Sequence, residues 1–138
     1  MKRLFCVLLL VLLLSNNISA AEIKGVAVKM LSKSDLSWDG RILPDYPKGK
    51  PEITILMIKI QPGVVLPLHK HPVINAGILL SGELTVVTDD GKVLQLKTGE
   101  GIIEVVNTWH YGKNEGNFPA EIVVFYAGTS DAPITLYQ

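Results

Sequence analysis

Gly63-Val64-Val65-Leu66-Pro67-Leu68-His69-Lys70-His71 is the stretch around which the chain reads. It holds two of the three histidines in 138 residues. The run has the character of a strand, and side chains two apart on a strand leave by the same face. His69 and His71 can therefore aim two imidazoles at one point, as a bound metal requires. The third histidine, His110, follows another strand-like run. Together they would offer three nitrogens from two strands. A His-x-His pair alone is weak ground for a metal, because surface histidines are common.

The spacing around the histidines carries more. Gly63 is followed by five residues, then His69 and His71; three residues on comes Asn75, and six after that Gly82. Gly99 leads through five residues to Val105, with Asn107, His110 and Asn114 behind it. These two runs resemble the paired motifs of the cupin superfamily, small antiparallel barrels of the jelly-roll kind. The first motif of that family has glutamate where this chain has Asn75. The second has proline and glycine where this chain has Val105 and Asn107. The other positions match, and all three histidines fall in register. The resemblance spans about residues 52–127. It implies an all-β fold, a single cupin/jelly-roll antiparallel β-barrel. It also implies a metal centre of His69, His71 and His110, with Asn75 in the place of the acidic ligand.

The N-terminus reads as a targeting segment. Lys2 and Arg3 are basic, Leu4 to Leu14 is an unbroken apolar run, and Ser19-Ala20-Ala21 supplies small residues for cleavage. That is the layout of a secretory signal peptide, here residues 1–21. The apolar run falls short of the roughly 20 residues that span a bilayer. An uncleaved anchor is the rival reading. The expected destination is periplasmic or secreted, with no membrane in the mature form. Losing Lys2 and Arg3 from 13 Lys+Arg leaves 11 against 13 Asp+Glu, a net charge of about −2. This balance does not suggest a nucleic-acid surface. Cys6 leaves with the signal, so the mature domain relies on its core and not on a disulfide. About 117 residues remain, one domain of ordinary size.

Residues 22–51 read as a strand and loop arm. Ile23 to Met30 alternates in part and is expected to form an edge strand. Asp39-Gly40 marks a turn, and Pro44 to Pro51 a loop. Trp38 and Tyr46 either pack this arm on the barrel wall or lie over its mouth as a flap. The barrel occupies residues 52–138. Glu52 to Gln61 is apolar on both faces, which suits a strand with one face inside and the other against a second sheet or subunit. Asn75–Ser81, Leu84–Thr88, Lys92–Leu96, Gly101–Val106 and Glu121–Ala127 are expected strands, with a hairpin turn at Asp89-Asp90-Gly91. No helix is expected after the signal. Apolar residues on both strand faces predict a homodimer.

Three neutral imidazoles suit one divalent ion: iron, nickel, zinc, copper or manganese. Asn75 adds no charge, so such a centre favours an anionic small-molecule ligand or substrate. Glu104 is the candidate catalytic carboxylate. It interrupts the apolar run Ile102-Ile103-Glu104-Val105-Val106. It either faces solvent or a dimer edge, or aims at the site as a fourth ligand or general base. Glu83 is expected at the surface, Lys70 outward, and Trp109 turned away from His110. Cupin relatives with three histidines and no carboxylate include iron dioxygenases, an analogy of fold and not a proof of function. The expected function is a metal-dependent enzyme, oxygenase-like, acting on a small anionic substrate. The alternatives are a sugar-acid lyase or isomerase using the metal as a Lewis acid, and a non-catalytic ligand- or metal-binding protein.

Overall fold

Every regular element among residues 24–138, the part of the chain this computed structural model describes, is a β-strand or an isolated bridge. The expected signal peptide lies outside those residues. The strands are β1 (Pro51–Ile60), β2 (His69–Lys70), β3 (Ile74–Ser81), β4 (Glu83–Thr88), β5 (Val93–Lys97), β6 (Gly101–Ile103), β7 (His110–Lys113), β8 (Ala120–Thr129) and β9 (Leu136–Tyr137). They form two antiparallel sheets, ordered β1-β8-β3-β6 and β5-β4-β7-β2-β9. This is the all-β jelly-roll layout.

Alternation along each strand builds the interior between the sheets. On β3, Asn75, Gly77 and Leu79 are buried while Ile74, Ala76 and Ile78 are less so. Tyr126, Val124 and Ile122 of β8 stand opposite those buried residues in register and are buried with them. Leu84 and Val86 of the second sheet join the same cluster. Full burial of one such aliphatic side chain stabilises by about 1.5–3 kcal/mol. Gly82 turns the chain between β3 and β4 at φ 75°, and a Cβ there would meet the Pro119 carbonyl oxygen at 2.6 Å. Both facts restrict the position to glycine.

β1 is an edge strand. Leu56, Ile58 and Ile60 face inward, while Ile53, Ile55 and Met57 point outward and are 61, 57 and 69 % exposed. No second sheet covers that outer face among the described residues. Other expectations need correction. Ile23–Met30 does not form an edge strand over its described part. Lys24-Gly25 is a turn with Gly25 at φ 84°, and Val26, Val28 and Met30 stand exposed with no ladder partner among the described residues. Alternation without a neighbouring strand does not hold a strand. The histidine strand shrinks to two residues, because Pro67 and Pro72 flank it and cannot donate to a ladder. β6 stops at Ile103 and not at Val106. Trp38 packs on the core, its amide donating to the Ile103 carbonyl at 2.9 Å, while Tyr46 is exposed. Trp38 thus takes the packing role, and Tyr46 neither packs on the core nor lines the cavity. Arg41 ties this arm to the β4–β5 hairpin through Asp90 at 2.8 Å, and pairs with Asp39 of the arm itself at 2.7 Å.

Candidate metal centre

One register pair brings the two motifs together. His69 of β2 stands opposite His110 of β7, with ring centroids 4.5 Å apart. His71 lies two residues on, so its ring leaves by the same face. It sits 5.0 Å from the His69 ring and 5.1 Å from that of His110. The three ligand atoms lie within 4.8 Å of one another, so the trio can hold a metal ion. Asn107 locks the second motif onto the first, its amide donating to the His71 carbonyl at 2.8 Å. It does so at φ 54°, a left-handed conformation that asparagine tolerates better than most residues.

The backbone sets the tautomers. Nδ1 of His69 lies 2.7 Å from the Pro67 carbonyl, that of His71 2.8 Å from the Ile134 carbonyl, and that of His110 2.9 Å from the Thr108 carbonyl. A carbonyl only accepts, so each Nδ1 carries the proton and donates. Each Nε2 keeps its lone pair for an ion. Burial pushes the imidazoles of His71 and His110 down to about 4, which keeps both neutral near pH 7. Neutral imidazole is the form that binds metal.

Glu104 turns inward. It is 7 % exposed, and its amide donates to the Asn75 carbonyl at 3.1 Å. Its Oε2 stands 3.8 Å from His110 Nε2 and has no hydrogen-bond donor among the described residues. Burial pushes its carboxyl up to about 7. A cation beside it would supply the missing partner and hold it ionised. Two donors each about 2 Å from one ion stand roughly 3–4 Å apart. The Glu104–His110 spacing falls in that range, and the three imidazoles can hold a divalent ion. Asn75 is buried between its register partner Tyr126 and Glu104. Its Nδ2 makes a long contact of 3.4 Å to the Val73 carbonyl, and its Oδ1 has no partner among the described residues. It stands beside the centre, off the cavity wall.

The remaining motif residues take structural places. Asn114 staples loops together, donating to the Ile60 and Phe118 carbonyls at 2.9 and 2.8 Å. Lys70 points away from the site and lies over the Trp109 ring at 4.8 Å, and Glu83 is exposed. Sequence reasoning missed Tyr126, whose ring is 5.2 Å from that of His71, and the β9 segment. Besides the Ile134 carbonyl, that segment brings Thr135 Oγ1 to 3.2 Å from His71 Nδ1 and Tyr137 opposite His69. The aromatic inside the clear strand Glu121–Ala127 was a readable signal for Tyr126. The short β9 offered none.

Fold and site together define a small jelly-roll protein with a three-histidine centre at one end of its interior. The chain belongs to the cupin family: the family model described as Cupin domain matches residues 56–126. A search of curated proteins finds no match. Solved structures share the fold. An uncharacterized conserved protein with a double-stranded β-helix domain from Klebsiella pneumoniae is 22 % identical, with TM-score 0.55 over 71 % of this chain and 96 % of that one. The DMSP lyase DddQ from Ruegeria pomeroyi is 15 % identical, with TM-score 0.55 over 75 % of this chain and 49 % of that one. The oxalate decarboxylase of Lactobacillus farciminis is 20 % identical, with TM-score 0.54 over 62 % of this chain and 26 % of that one. The chain thus spans about half of the lyase and about a quarter of the decarboxylase.

Proposed function

We propose that this chain is a periplasmic or secreted metal-dependent enzyme acting on a small anionic substrate. His69, His71 and His110 hold one divalent ion through Nε2, and Glu104 adds the charge that Asn75 lacks. The observation that carries this is the partnerless Oε2 of buried Glu104, 3.8 Å from His110 Nε2. Bound there, a divalent ion supplies a Lewis acid and, where it is redox-active, electrons for oxygen chemistry. The protein groups do the positioning. The carbonyls of Pro67, Thr108 and Ile134 aim the three rings. Burial pushes the Tyr126 phenol up to about 12, so it stays protonated and able to donate to a substrate oxygen. One carboxylate against a doubly charged ion leaves a net positive charge, which an anionic substrate head neutralises.

The names of two structural neighbours, a lyase and a decarboxylase, agree with an enzyme on this fold. The basic and then apolar N-terminus supports the location. The outward face of β1 supports a homodimer. Metal analysis of protein purified from its native compartment, paired with oxygen uptake over a panel of small acids, tests the proposal. Bound iron, manganese, copper or nickel with oxygen uptake assigns an oxygenase. Bound metal with product but no uptake assigns a lyase or isomerase. Ligand retained without product assigns a binding protein, and protein that takes up no divalent ion ends the proposal.

A further inference from the structure

Beneath the histidines the interior is not filled. A cavity of about 190 Å³ opens between the sheets. Its polar and apolar linings are segregated. Apart from the histidines, the polar side chains on its wall are Glu104, Tyr126, Thr135 and Tyr137. Each is tied to a histidine: Glu104 at 3.8 Å from His110, Thr135 at 3.2 Å from His71, and the Tyr126 and Tyr137 rings at 5.2 and 6.1 Å from His71 and His69. All polar contacts therefore gather at one end.

Two residues further along each strand the character changes. Register pairs Leu56 with Val124, Ile58 with Ile122, and Val86 with Gly112, all on the cavity wall. These positions present only aliphatic carbon or backbone. Gly112 keeps the space open under His110, since a Cβ there would approach Leu66 Cδ1 at 3.3 Å and Leu84 Cδ1 at 3.4 Å. Among the described residues no lysine or arginine lines the cavity. A second anionic group, or a row of hydroxyls, would be buried against this wall with nothing to pair it.

We propose that the substrate is an amphiphilic monoanion, with one oxygen-bearing head at the histidine end and an apolar aliphatic or aromatic body in the cavity. A cavity of 150 Å³ accepts benzene, so head and body together fill this one with about eight non-hydrogen atoms. This rests on the metal-centre proposal for the head alone; the body is assigned by the wall. It sets dicarboxylates and sugar acids aside as substrates.

The test is calorimetric titration of the full chain, zinc-loaded and metal-free, with straight-chain carboxylates from acetate to octanoate, and with succinate and gluconate. Affinity is expected to rise about fourfold per added methylene until the cavity is full, then level. Succinate and gluconate are expected to bind no tighter than acetate. Leu56→Trp, at a half-exposed position on the cavity rim, is expected to flatten the series while zinc content holds. A flat series in the parent, gluconate binding as tightly as hexanoate, or a series unchanged by Leu56→Trp overturns the inference. Zinc uptake with a flat series keeps the metal centre and removes the amphiphile. A rising series in protein that takes up no zinc does the reverse.

Discussion

His69 and His110 face each other across the β2–β7 ladder as register partners, although 41 positions separate them in the sequence. Directly opposed residues of an antiparallel pair share a face, and a slip of one residue would send one ring to the far side. The pair therefore fixes the register of both motifs as well as two ligands. Replacing His69, His71 or His110 by alanine is expected to lower divalent-metal affinity more than about 100-fold, since loss of an outer partner alone costs 10–100-fold. Competition against a chelating dye measures it, with near-UV circular dichroism reporting that the metal-free fold persists. Metal content that survives all three substitutions places the ion elsewhere.

Glu104 and Asn75 are expected to behave as alternatives for one charge. Glu104→Gln should weaken metal binding about 10–100-fold. Adding Asn75→Glu to that variant puts a carboxylate on the neighbouring strand, where the family's usual ligand stands, and should restore most of the loss. Asn75→Glu alone should tighten metal binding and weaken that of a small carboxylate such as acetate. Titrations unmoved by either change would remove both residues from the centre.

In metal-free protein the same carboxyl should govern part of the pH dependence. Glu104 ionises near 4.5 when unfolded and near 7 when folded. Its contribution is fully present below 4.5 and is lost as pH rises through 7, a difference of about 3 kcal/mol. His71 and His110 work the other way, from 6.5 unfolded to about 4 folded. Their contribution is full above 6.5 and is lost as pH falls toward 4. Two histidines outweigh one glutamate, so stability should rise from pH 4 to 6.5 and then slip. Urea melts of Glu104→Gln should show a gain over the parent that grows with pH and approaches about 3 kcal/mol by pH 8. Equal stabilities at pH 5 and pH 8 would show that Glu104 keeps an ordinary carboxyl.

The outward face of β1 predicts association. Ile53, Ile55 and Met57 lie beside Phe125 of β8, itself 47 % exposed. A second copy is the expected cover, because a contiguous apolar patch on a lone domain is unusual. Sedimentation at micromolar concentration should show a dimer for the parent and a monomer for Ile55→Lys with Met57→Lys. A monomeric parent rejects it.

What the sequence revealed followed from local geometry. The spacing of two along a strand announced His69 and His71, and the motif intervals delivered His110 and the turn at Gly82. The orientation of Glu104 was not legible, because Ile102 and Val105 are both buried and the segment has no solvent face to mark the other as inward. β9 was not legible either. Two residues make it, and they hold only by pairing with β2, itself two residues long. The Ile23–Met30 expectation failed for the converse reason: its alternation met no partner strand.

The three carbonyls that orient the imidazoles belong to the main chain. A peptide oxygen is present whatever side chain its residue carries. Substitutions at Thr108 or Ile134 can change size and polarity without unseating a ring, provided the backbone path holds. Aliphatic positions of the interior, such as Leu56 and Val86, touch none of these bonds. The shape of the interior and the aim of the three rings are thus set by different atoms. A change in the width or depth of the interior therefore leaves all three Nδ1 bonds in place.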